Sequence, residues 1–158
     1  MRTGLRLPRG MLADIAGVMA IETAVIAPVM VLFSLGAYQV SSLVARQGEI
    51  QSAMTVAESV ALATEPDTGA KRDTLKGIVA ASTGLPQSQI VVEAAYRCNA
   101  STAYVTLERT CLTGANVSRY LRVKITENYV PLWTEFGLGS AIVLSAERYI
   151  LYSQGTKK

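Results

Sequence analysis

Residues 18–38, VMAIETAVIAPVMVLFSLGAY, make 21 consecutive positions of which one, Glu22, is charged. At about 1.5 Å per residue, a helix of that length just crosses a hydrocarbon core about 30 Å thick. A membrane segment is therefore the default. A carboxylate inside such a segment costs about 2.5–3.5 kcal/mol when central and less near an end, so Glu22 asks for a partner or a task. Ahead of the run lie Arg2, Arg6 and Arg9 against only Asp14. That short basic leader stays on the cytoplasmic side by the positive-inside rule, which sends the bulk of the chain across. A cleaved secretory signal predicts something else, an apolar core of about 7–15 residues with small residues at a cleavage site directly after it. The run here is too long, and Ala61-Leu62-Ala63, which has the A-x-A form, lies far beyond it.

Composition suits one anchor and one small exported domain: of 158 residues, 50% are apolar and 17% charged. The formal charge of +3 rests largely on the leader, because residues 1–17 hold three Arg and one Asp. From Val18 onward 12 basic residues face 11 acidic ones, so no nucleic-acid partner is indicated. Lys157 and Lys158 read as a small solvated tail.

Beyond Tyr38, Val40, Leu43, Ile50, Met54, Ala57 and Ala61 recur at intervals of three, four or seven, with Gln47 in the polar gap. This is helical periodicity, and it predicts one continuous helix over 18–64 that ends before Glu65-Pro66-Asp67. Pro28 falls inside it and removes the hydrogen bond to the Ala24 carbonyl, which predicts a kink or local loosening. Leu75, Ile78, Val79 and Ser82 suggest a second, short helix, with Asp67 or Thr68 near its start and Gly84 then Pro86 after its end. The period then changes to two. Residues 89–97 and 102–109 read as weak strands. Residues 119–126 read as a stronger one, because Leu121, Val123 and Ile125 alternate with Arg122, Lys124 and Thr126. Residues 141–152 fit a strand, although their apolar positions also permit a helix. The expected fold is α+β, a long N-terminal helix followed by a short helix and a small antiparallel sheet.

Gly17, then four residues, then Glu22 with the apolar run continuing, resembles the cleavage motif of type IV prepilins and pseudopilins. The wider block ETAVIAPVMVLF is similar to the N-terminal segment of TadE-like minor pseudopilins of the tight-adherence (Flp) pilus system. RYLRVKITENYVPLW followed by AIVLSAERYI resembles the TadE-like C-terminal pattern of an alternating strand, a Tyr-x-Pro-Leu segment and a final strand. Thr23 departs from the aromatic common at that position, which argues against a major pilin more than against a pseudopilin. The resemblance implies a pilin-like fold, cleavage after Gly17 by a prepilin peptidase, and Val18 as the new N-terminus. Its implied partners are that peptidase, other pilins and pseudopilins met through the N-terminal helix, the inner-membrane assembly platform and the lipid bilayer. A free ammonium on Val18 would lie one helical turn from Glu22, or Glu22 would reach a neighbouring subunit's amine, and pairing lowers the burial cost of both charges. A small residue at Gly17 gives a protease access to the backbone. The alternative is an uncleaved single-pass anchor that presents a periplasmic binding or scaffold domain.

On this reading the chain divides into a leader (1–17), a membrane helix (18–38), its periplasmic continuation (39–64) and a small α+β domain (65–158). Cys98 and Cys111 fall in the exported part, where an oxidising periplasm would pair them. Closing so short a loop contributes about 3 kcal/mol in the chain-entropy model. A structural zinc site competes, but the chain has no histidine and two thiols; the spacing is not that of a Cys-x-x-Cys redox pair. A tight hairpin at 99–101 would hold the two cysteines too far apart to bridge. A disulfide therefore predicts that 99–110 folds back as a pinned loop or small hairpin. No glycine-rich phosphate loop or nucleophile elbow is present, so neither catalysis nor a cofactor is indicated. Glu93, Glu108, Glu127, Glu135 and Glu147 read as solvated surface charges. Tyr120, Tyr129, Trp133, Phe136, Tyr149 and Tyr152 read as sheet packing or a binding face. Asn99-Ala-Ser and Asn116-Val-Ser match a glycosylation sequon, a pattern too common to carry weight.

Overall fold

The computed structural model describes residues 15–137 and 139–157, with side chains from Ala20 onward. Most of the leader and Lys158 lie outside the described residues. The architecture is the α+β one expected: α1 (Ile15–Thr64), α2 (Gly69–Thr83), then β1 (Ile90–Cys98), β2 (Asn116–Tyr129) and β3 (Ile142–Thr156). The three strands form an antiparallel sheet in the order β1-β2-β3. The chain falls into two compact units that meet at Ser41/Ser42, so residues 42–64 of α1 belong with the sheet domain.

α1 stops where the sequence says it must. Glu65 turns to a left-handed φ of 44°, and Pro66 cannot continue the helix. The turn into α2 is stapled by Lys71, which pairs with Asp67 at 2.8 Å, and by Arg72, whose Nη1 donates to the carbonyls of Pro66 and Asp67. Thr68 is the N-cap of α2, its hydroxyl accepting from the Lys71 N–H, and Gly84 closes the helix at φ 67°.

One face of residues 42–64 supplies the core. Ile50, Met54, Ala57 and Ala61 are buried as the periodicity predicts, and Ala53 joins them. They meet Leu75 and Val79 of α2 and a layer of Ile90, Leu121, Val123, Ile125, Leu144, Ala146 and Ile150 from the sheet. Ile78 and Ser82 are exposed, and Thr83 takes the buried place instead, its hydroxyl bonded back to the Val79 carbonyl. β2 alternates as expected, and Val117, in step with Leu121, Val123 and Ile125, is buried as well; at Arg119/Tyr120 the pairing shifts by one residue, Tyr152 of β3 being the extra one. β3 is a strand throughout, paired with β2 from Asn116↔Thr156 to Tyr129↔Ile142.

The strand expected at 102–109 does not form. That segment makes one isolated bridge, Tyr96↔Val105, and then a 3-10 turn at Glu108–Thr110. The disulfide is the reason. Cys98 ends β1 and is joined to Cys111 with their Cα atoms 5.4 Å apart, so the thirteen-residue step between them must double back rather than extend.

Candidate functional site

Two surfaces of the described residues, in different units, stand out first. The first is the apolar stretch of α1. Among its described residues Ile21, Val25, Ile26, Val29, Met30, Val31, Leu32, Phe33, Leu35 and Tyr38 are all exposed, Phe33 at 73%. Leaving ten such side chains in water rather than burying them costs on the order of 10 kcal/mol or more. That matches the whole stability of an ordinary domain, about 5–15 kcal/mol. The stretch is therefore built for an apolar surrounding, and α1 is long and apolar enough to cross a membrane near the N-terminus. Glu22 is exposed on it. Gly17 and Val18 lie on the α1 backbone, with the Val18 side chain outside what is described. Pro28 is inside the helix, where it brings no N–H to the Ala24 carbonyl. Ser34 returns its hydroxyl to the Met30 carbonyl at 2.9 Å, so it adds no free polar group to the apolar surface.

The second surface is the face of the sheet turned away from the helices. Arg122, central on β2, reaches both neighbours, Glu93 of β1 at 3.3 Å and Glu147 of β3 at 2.9 Å. The hydrogen bond from Arg122 holds the Glu147 carboxyl below the usual carboxylate range. Beside this row Tyr104 stacks on Tyr149 with ring centroids 4.0 Å apart and meets Tyr120 edge-on at 5.2 Å. The Arg97 guanidinium lies 5.3 Å from the Tyr104 ring centre, and its Nε donates to the Ser101 carbonyl. Burial pushes the Tyr149 hydroxyl pKa up.

Tyr104 reaches that face because its loop is tied down at several points. Besides the disulfide, Asn99 adopts φ 52°, its N–H donates to the Asn116 carbonyl and its Oδ1 accepts from the Asn116 N–H. The two asparagines noted as sequons thus clasp each other. Glu108 pairs with Arg119 at 2.6 Å. Lys157 is no solvated tail: its ammonium donates to the carbonyls of Arg109 and Cys111, and its backbone pairs with Gly114 and Ala115. Cys111, Ala115 and Val117 form a second small core beneath, with Tyr96, Cys98 and Val105 packed on it.

Of the residues singled out in sequence, the fold joins Cys98 to Cys111, while Glu22 belongs to the other unit. Four of the five acids are paired instead of merely solvated. Glu127 is the most enclosed, its side chain 15% exposed and both its oxygens accepting from Arg46 Nε. The aromatics divide: Tyr129 and Tyr152 pack on the main core, Tyr120 and Tyr149 lie on the outer face, and Phe136 stands exposed. Tyr104 was missed, since nothing local in its sequence marks a ring that stacks on a strand forty-five residues away. Among the described residues no three Cys, Asp or Glu side chains gather as a metal-ligand set. No protein-family model matches this chain, and no curated protein or solved structure matches it significantly.

Proposed function

We propose that this chain is a non-enzymatic minor pseudopilin of the TadE-like kind, anchored in the inner membrane and taking part in assembly of a tight-adherence pilus. The observation that carries the proposal is the setting of Glu22. It is an exposed carboxylate on an exposed apolar helix, four positions beyond Val18 and five beyond Gly17. Among the described residues this acid has no ion-pair partner. Cleavage after Gly17 by a prepilin peptidase supplies one, an ammonium on Val18 that a carboxylate one turn away, or on a neighbouring subunit, neutralises. Other pilin-like helices and the bilayer then cover the apolar stretch, the assembly platform receives it, and the domain from Ser42 onward projects into the periplasm. A long helix packed under a small antiparallel sheet suits that role.

The N-terminus of protein purified from its native membrane tests this directly. Intact mass is expected to place it at Val18. A chain beginning at Met1 would discard processing and leave a single-pass anchor bearing a periplasmic domain. Glu22→Ala is expected to leave cleavage largely intact while most assembled pilus is lost. Normal pilus levels in that variant would remove the pairing role.

A further inference from the structure

The turn between β2 and β3, residues 130–141, presents apolar side chains that the core does not use. Val130 is 62% exposed, Leu132 49% and Phe136 74%, with Trp133, half-buried, between them. Two ion pairs fix where this turn sits in the domain. Arg148 of β3, opposite Val123, holds Glu58 of α1 at 2.5 Å, and Glu127 of β2 holds Arg46 of α1 at 2.8 Å. From Glu58 back to Arg46 the helix therefore runs in the direction in which β2 runs from Val123 to Glu127, toward the 130–141 turn. The turn and Ser42, where the domain's share of α1 begins, lie at one end of the domain; the disulfide loop lies at the other, beside the Asn116↔Thr156 pair.

We infer that the 130–141 turn rests on the lipid surface, with Leu132, Trp133 and Phe136 at headgroup depth. The inference depends on the anchor reading above, since only a few residues separate Ser42 from the apolar stretch that would span the bilayer. Its backbone is suited to that depth. Thr134 N–H and hydroxyl both bond the Pro131 carbonyl, at 3.1 and 2.7 Å, and Gly137 N–H bonds the Thr134 carbonyl at 3.0 Å, so these donors enter the interface already paired. Gly137 and Gly139 both hold φ near 72°, which keeps the turn tight, and the Trp133 indole lies against Gly139. Tryptophan and phenylalanine beside a polar rim are the residues that settle at a membrane interface. Exposed Glu135 on the same turn limits it to the headgroup layer.

Trp133 is the chain's one tryptophan, so its emission reports on this turn alone. The full chain is reconstituted in phosphatidylcholine–phosphatidylglycerol vesicles, and insertion is checked separately by resistance to carbonate extraction. Lipids brominated near the ester end of the acyl chains are expected to quench Trp133 strongly, and aqueous iodide weakly. Phe136→Asp, at an exposed site that folding does not need, is expected to lose most of that lipid quenching. An inserted chain quenched by iodide and not by brominated lipid would overturn the inference and leave the anchor standing. Shielding from both quenchers would assign the turn to a second copy of the chain and equally overturn it. A chain extracted by carbonate would remove the anchor and, with it, this inference.

Discussion

Residues 20–41 and residues 42–64 belong to one helix yet obey different rules. In the first stretch apolar side chains point outward on every side; in the second a stripe of them, Ile50, Ala53, Met54, Ala57 and Ala61, is covered by the sheet domain, and only Val44, Val56 and Leu62 among the large apolar ones stand exposed. The second stretch needs nothing outside its own chain, whereas the first has its apolar surface answered by nothing in the described residues. Helix formation in the two is the same event; what differs is who supplies the apolar surroundings. Truncating a side chain in each gives the sharpest contrast. Ile50→Ala should cost the domain about 2–5 kcal/mol, because a buried side chain is replaced by a cavity. Leu32→Ala should leave the unfolding of the same full-length protein in detergent unchanged. Equal losses would mean that 20–41 is packed by the domain, and the contrast would collapse.

The domain's self-sufficiency also depends on its cross-link. Removing the bridge with paired Cys98→Ser and Cys111→Ser should lower stability by about 3 kcal/mol, for a loop of this length. It should also release Tyr104, so the near-ultraviolet dichroism of the stacked tyrosines should fade before the domain melts. Membrane extraction of the chain should be the same with or without the bridge. A variant that loses membrane retention would show that the two regions depend on each other after all.

What was legible in the sequence follows the range of the forces involved. The stripe in α1, the capped ends of α2 and the alternation in β2 are set by neighbours a few positions apart, and each was read from its period or its caps. The same holds for Glu22, because one charge in an apolar run is visible without any fold. β3 was ambiguous, since its apolar positions satisfied two periods; fourteen register pairs with β2, a strand distant in sequence, decide it. The segment 102–109 alternates well enough for a strand, but the Cys98–Cys111 tie leaves it a single bridge to Tyr96. Arg46 meeting Glu127 across 81 positions, and Lys157 capping carbonyls 46 and 48 positions back, leave no local trace. The outer tyrosine face was unreadable for the same reason.

The smallest effect concerns that outer face and asks whether its charges matter to the domain's internal satisfaction. Glu147 is held below the ordinary carboxylate range by its hydrogen bond from Arg122. A group whose folded pKa is depressed stabilises the fold above its unfolded pKa, and that contribution disappears as pH falls through the folded value. Glu147→Gln should therefore melt slightly below the unsubstituted protein near pH 7, and the gap should close as pH falls from about 6 to about 3. Because the pair is open to solvent, added salt should narrow the gap at pH 7 too. A gap that persists unchanged at pH 3 would mean that the glutamate acts through its shape and packing. The row Glu93–Arg122–Glu147 would then join the two strands as spacers, and the domain's outer face would owe its order to the tyrosines alone.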